Sequence, residues 1–192
     1  MKLFNLIKKS IVLTLLITAT TVFSQDKMMK EKTKMVGGAA MYPSKNIVEN
    51  AVNSKDHTTL VAAVKAADLV DVLMSEGPFT VFAPTNDAFA KLPDGTVDTL
   101  LKPENKTMLQ TILKYHVVAG KWNAKNLVKK IKKGKGKATI KTVNKGTLVA
   151  WMKYGAVYIT DENGNSSMVT IADVNQSNGV IHVVDSVLLP KS

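Results

Sequence analysis

Phe79-Thr80-Val81-Phe82-Ala83-Pro84-Thr85-Asn86-Asp87-Ala88-Phe89 changes character at its middle. Its first five residues are aromatic, β-branched or small and apolar, the composition of a short buried strand. Pro84 ends that strand. Thr85 follows as an N-cap for a helix carrying Ala88, Phe89 and Leu92, because its hydroxyl can accept from an unpaired amide of the first turn. Asp87 falls in that first turn, where the helix dipole favours a carboxylate. A strand running directly into a capped helix is the unit around which the rest of the chain is read.

Upstream, Pro43-Ser44 starts a helix with Ile47, Val48, Ala51 and Val52 on one face. Leu60, Val61 and Val64 predict a second helix, and Leu69, Val72 and Leu73 a third that Gly77-Pro78 stops. Downstream, Pro93-Asp94-Gly95 is a turn, and Pro103 opens a helix with Met108, Leu109, Ile112 and Leu113. A lysine-rich helix around Asn123–Ile131 then gives way to strands at 138–143, 147–152, 156–160, 167–171 and 180–189. Helices first and a strand-rich second half predict α+β architecture. In the last strand Val180, His182, Val184, Ser186 and Leu188 alternate with Ile181, Val183, Asp185, Val187 and Leu189. Both faces are mostly apolar, so it is expected at the centre of its sheet.

The 192 residues allow one domain with short appendages. Lys2, Lys8 and Lys9 precede an apolar run from Ile11 to Ala19, and Val22-Phe23-Ser24 supplies a cleavage site, so residues 1–24 are predicted to be a signal peptide. Residues 25–41 are polar, lysine-rich and then glycine-containing, and are expected to form a flexible tether before a domain at 42–190. With no cysteine, disulfides, thiol catalysis and zinc–thiolate sites are excluded. All 26 basic residues are lysine. Arginine provides the bidentate geometry on which base and phosphate recognition leans, so no nucleic-acid partner is expected. Loss of residues 1–24 removes three lysines and no acid, taking the net charge from +11 to +8.

The stretch 79–89 closely resembles the first signature of fasciclin domains. Gly179-Val180-Ile181-His182-Val183-Val184-Asp185-Ser186-Val187-Leu188-Leu189-Pro190 resembles the second, and Leu113-Lys114-Tyr115-His116-Val117-Val118 resembles the family's tyrosine–histidine segment. The resemblance covers roughly residues 42–190. It implies a compact α+β wedge of β-strands with several packed helices, in a secreted or surface-exposed protein associated with cell adhesion and extracellular matrix. Phe79, Thr80, Phe82, Pro84, Thr85, Asp87, Phe89, His182, Asp185 and Leu189 are read as the structural residues of the two signatures.

The resemblance links Tyr115 and His116 to receptor contact. The residues themselves equally allow a buried histidine satisfied by backbone groups beside a packed tyrosine. His57, His116 and His182 carry no metal-ligand spacing. Met28, Met29, Met35 and Met41 would hold a soft ion such as Cu(I) only if the tether folded over it. Asp161-Glu162-Asn163-Gly164-Asn165 opens like a calcium loop, but Ser166 and Ala172 stand where glycine and glutamate are required, which leaves a hairpin turn. No metal or cofactor is expected. The motifs of nucleophile elbows, zinc proteases, phosphate loops and dinucleotide folds are all missing, so the chain is not expected to be an enzyme.

Ten lysines and no acid fall between Lys121 and Lys145. Lys125, Lys129, Lys130, Lys132, Lys133, Lys135 and Lys137 form the candidate basic patch. Its expected partners are surface proteins, acidic glycans or an anionic membrane surface. Exposed lysines on an edge strand would also discourage aggregation. The leading expectation is therefore an exported, non-enzymatic contact module. The alternative is an extracytoplasmic carrier of a small or lipophilic ligand. A flat basic face would mark the first and a large dry cavity the second.

Overall fold

A computed structural model describes residues 33–191. The predicted signal peptide and residues 25–32 of the predicted tether lie outside the described residues. The first half contains β1 (Lys34–Val36), β2 (Ala39–Met41), α1 (Ile47–Ala51), α2 (Thr58–Ala66), α3 (Val70–Met74), β3 (Phe79–Pro84), α4 (Asn86–Ala90) and α5 (Thr96–Leu100). It is followed by α6 (Lys106–Tyr115), β4 (Val117–Ala119), α7 (Ala124–Lys133), β5 (Lys137–Lys141), β6 (Thr147–Lys153), β7 (Ala156–Thr160), β8 (Ser166–Gln176) and β9 (Gly179–Val184).

Seven strands form one sheet in the order β4-β3-β9-β8-β7-β6-β5. β3 and β9 run parallel, from Phe79 beside Gly179 to Pro84 beside Val184, and the other neighbours are antiparallel. The two signature stretches are thus adjacent strands at the heart of the molecule. All six residues of β9 are buried, as expected for a strand apolar on both faces. Gly179 is required by this pairing: a Cβ there would stand 2.2 Å from the Phe79 carbonyl oxygen.

Alternation along β3 and β9 feeds two cores. Val81, Ala83, Ile181 and Val183 face the helical side, where Ile47, Leu60, Val64, Phe89, Leu109 and Leu113 pack. Phe82 and Val184 face the opposite core with Leu127 and Ile131 of α7 and Ile140, Leu148 and Ile159 of the later strands. The Val143 amide donates to the Val117 carbonyl at 2.8 Å, linking the turn after β5 to the opposite edge strand and bringing the sheet towards a barrel.

Thr85 caps α4 as expected, its hydroxyl accepting from the Ala88 amide at 3.2 Å, with Asp87 in the first turn. Three expectations need correction. Residues 34–41 are not tether: β1 and β2 pair as a hairpin, and Val36 and Met41 enter the helical core. α1 begins at Ile47, later than the Pro43-Ser44 start signal, and is capped by Asn46 in a reciprocal capping box with Glu49. The last strand ends at Val184, because the Asp185 carboxylate accepts from the Met168 amide and the Ser167 hydroxyl and turns the chain aside. No helix among the described residues is long and apolar enough to cross a membrane.

Candidate functional site

Tyr115 is the last residue of α6 and His116 its C-cap. The Tyr115 ring has no solvent exposure. Gly146 leaves room for it, since a Cβ there would lie 2.6 Å from the ring. Its hydroxyl donates to the Thr147 carbonyl at 2.8 Å and accepts from the Glu162 amide at 3.0 Å. Burial pushes the phenol up to about 12.

His116 is equally enclosed. Nδ1–H donates to the Ile112 carbonyl at 2.8 Å, and Nε2 accepts from the Leu188 amide at 3.0 Å. Those partners define the neutral Nδ1–H tautomer, and burial lowers the pKa to about 4. In this fold both side chains are enclosed, Tyr115 at 0% and His116 at 3% exposure. They act as a clamp: α6 is tied through Tyr115 to the β7–β8 turn and through His116 to the chain after β9.

The same turn completes the clamp. The Asp161 carboxylate accepts from the amides of Asn163 and Asn165 at 2.9 Å each and from the Leu189 amide at 3.1 Å. The Asn163 side-chain amide donates to the Leu189 carbonyl at 2.9 Å. This is a hairpin turn whose carboxylate is taken up by the backbone, as its departures from a calcium loop imply.

Of the signature residues Thr80, Phe82, Pro84, Phe89 and His182 are buried, Phe79, Thr85, Asp185 and Leu189 are partly buried, and Asp87 is exposed. The Thr80 hydroxyl donates to the Gly120 carbonyl at 2.6 Å and accepts from the Trp122 amide at 2.9 Å. His182 stacks on Phe82 with ring centroids 5.7 Å apart. Its Nε2–H donates to the Trp122 carbonyl at 2.7 Å, and burial lowers its pKa. At Asp185 burial alone would raise the pKa. The Met168 amide, the Ser167 hydroxyl, Lys91 at 3.6 Å and the Ser186 hydroxyl together hold it below its ordinary value.

The basic patch lies elsewhere. A helical period places Lys125, Lys129, Lys132 and Lys133 on the face of α7 opposite Leu127 and Ile131, which are buried. Lys135 and Lys137 continue the exposed surface into β5, an edge of the sheet. Lys130 leans over the Trp122 ring at 4.1 Å. The ion pairs among the described residues are Lys91–Asp185 and Lys106–Asp68, so all seven patch lysines lack an acidic partner.

A second feature was not read from the sequence. The helical core does not close: α1, α2, α3, α6 and β3 surround a cavity of about 410 Å³ with apolar walls. α3 is the local sign of it. Val70, Val72, Leu73 and Met74 are apolar, yet no residue of this helix is buried, and Val72 is 53% exposed. Lys65 and Lys114 are the charged residues of the lining, and Ser54 and His57 stand in its wall. The Ser54 hydroxyl and His57 Nδ1 are hydrogen-bonded at 2.9 Å, and Nε2 has no hydrogen-bond partner. Burial lowers the His57 pKa, against a weaker opposing pull of the Asp56 charge. Met41 is in the core and Met35 faces solvent, while Met28 and Met29 lie outside the described residues. Among the described residues no three His, Asp or Glu side chains gather as metal ligands.

A model of the fasciclin domain matches residues 55–190. The chain is 48% identical over 170 residues to protein sll1483 of Synechocystis, covering 88% of this chain and 87% of that one. It is 38% identical over 150 residues to immunogenic protein MPB70 of Mycobacterium bovis, covering 73% of this chain and 66% of the relative. Among solved structures, a FAS1 domain pair from the insect cell adhesion molecule fasciclin I superimposes with a TM-score of 0.69 at 21% identity, over 77% of this chain and 52% of that one.

Proposed function

The chain belongs to the fasciclin domain family, and from that premise we propose that it is an exported, non-enzymatic contact module that engages anionic polymers, acidic glycans foremost, through the lysine face of α7 and β5. The observation that carries this reading is the set of seven exposed lysines without an acidic partner, raised on one helix face and the adjoining sheet edge. The insect domain pair of the same fold comes from a cell adhesion molecule, and a surface built for contact is consistent with such a role. Leu127 and Ile131 of α7 and Ala138 and Ile140 of β5 are buried in one core, which holds the lysine face on a fixed frame.

Lysine ammonium groups attract polyanions as hydrated point charges, and salt screens such exposed groups over about 10 Å at 0.1 M. Binding to a sulfated polysaccharide is therefore expected to weaken at least about tenfold between roughly 0.05 and 0.5 M sodium chloride. Equilibrium binding at the two salt concentrations tests this, with a neutral dextran as control. Affinity that does not change with salt would exclude the lysine face as the driver.

A second reading, carriage of a lipophilic ligand, is supported by the apolar cavity among the helices. The two features occupy different parts of the fold, and one does not exclude the other.

A further inference from the structure

We propose that the cavity between α1, α2, α3, α6 and β3 binds a single-chain amphiphile with a carboxylate head, its chain among the helices and its head at Lys65 and Lys114; this rests on the carrier reading and gives it a ligand class. Three observations carry it. The volume of about 410 Å³ lies in the range of small-molecule sites. At roughly the 30 Å³ that a water takes in the liquid, it accommodates about 14 chain atoms, enough for one acyl chain and too few for two. The walls are apolar, and α3 presents Val70 and Leu73 to the space while burying none of its own residues. Val70 and Leu73 only partly enter the helical core, so an apolar body filling the space beside α3 would complete their burial.

Charge then selects the head. Lys65 is exposed, Lys114 is half-buried, and no acid is among the lining residues. Lys65, in the last turn of α2, and Lys114, in the last turn of α6, both stand in the lining, so a head leaving the apolar space meets an ammonium group of either helix. An anionic head meets complementary charge there, and a cationic head meets repulsion. A carboxylate suits ammonium groups as simple charge partners, with no planar guanidinium to demand a bidentate fit.

Titration of the purified full-length chain with saturated carboxylates of about 8 to 16 carbons tests the proposal. Each added methylene is expected to tighten binding about fourfold until the chain fills the space, after which the gain stops. The primary alcohol of equal length is expected to bind about fivefold more weakly. Lys65→Gln with Lys114→Gln should remove that preference and leave alcohol binding unchanged. Lys65 is exposed and Lys114 half-buried, so unfolding of the double variant is measured beside binding, and alcohol affinity reports that the cavity is intact. Equal affinity for acid and alcohol would overturn the head assignment while the carrier reading stands. Absence of binding at every chain length would overturn both.

Discussion

His116→Ala is expected to lower the free energy of unfolding by about 4 kcal/mol. Truncating a buried side chain of this size costs roughly 2–5 kcal/mol through lost packing and the space left behind. Leaving the Leu188 amide without its acceptor adds to that loss, since an unsatisfied buried donor costs about 1–3 kcal/mol. For a chain of this size about 4 kcal/mol corresponds to a fall in Tm of roughly 10 °C. The damage should concentrate at the terminal segment, because His116 is what ties residue 188 to α6. Thermal unfolding and polysaccharide binding measured on the same preparation separate the two roles. A large drop in Tm with unchanged affinity per folded molecule identifies the clamp. Retained stability with lost binding would identify a contact residue and contradict the burial described here.

Acid is expected to weaken the fold over a defined window. His116 has a folded pKa of about 4 against an ordinary 6.5, so the unfolded chain binds the proton more readily. The corresponding stability is fully present above pH 6.5 and is lost as pH falls towards 4. By pH 4 the loss from this residue alone is about 3 kcal/mol. His57 and His182, the other two histidines, are also lowered by burial and add to the loss in the same direction. Asp185, held below its ordinary value, contributes stability above about pH 4 that is lost as pH falls further. Urea unfolding midpoints at pH 7, 5.5 and 4 measure the effect. A midpoint that does not move across that range would show that the histidines titrate normally and are not enclosed.

What the sequence made legible was local or strongly patterned. The strand, turn and cap at 79–90 depend on neighbours within a few residues, and β9 announces its central place by being apolar on both faces. The β1–β2 hairpin was missed because two three-residue strands around Gly37-Gly38 offer too short an alternation to distinguish from tether. α5 was missed for a similar reason: Thr96–Leu100 has one buried residue and no side-chain cap. The lysine-rich helix around Asn123–Ile131 was legible from composition, while the inward turn of Leu127 and Ile131 is seen in the structure. Whether Tyr115 and His116 face inward depends on where residues 147, 162 and 188 arrive, which is a tertiary matter. The cavity was invisible for a deeper reason. Apolar periodicity says which faces of α1, α2, α3 and α6 turn inward, not whether their side chains meet once there.

The contact surface is tested most directly by replacing Lys125, Lys129, Lys132, Lys133 and Lys137 with glutamine and measuring affinity for a sulfated polysaccharide beside unfolding free energy. These side chains make no ion pair among the described residues and lie on the outward faces of α7 and β5. Affinity is expected to fall more than about tenfold while stability changes by less than about 1 kcal/mol, as exposed substitutions away from packed groups generally allow. Full affinity in the substituted protein would contradict the account.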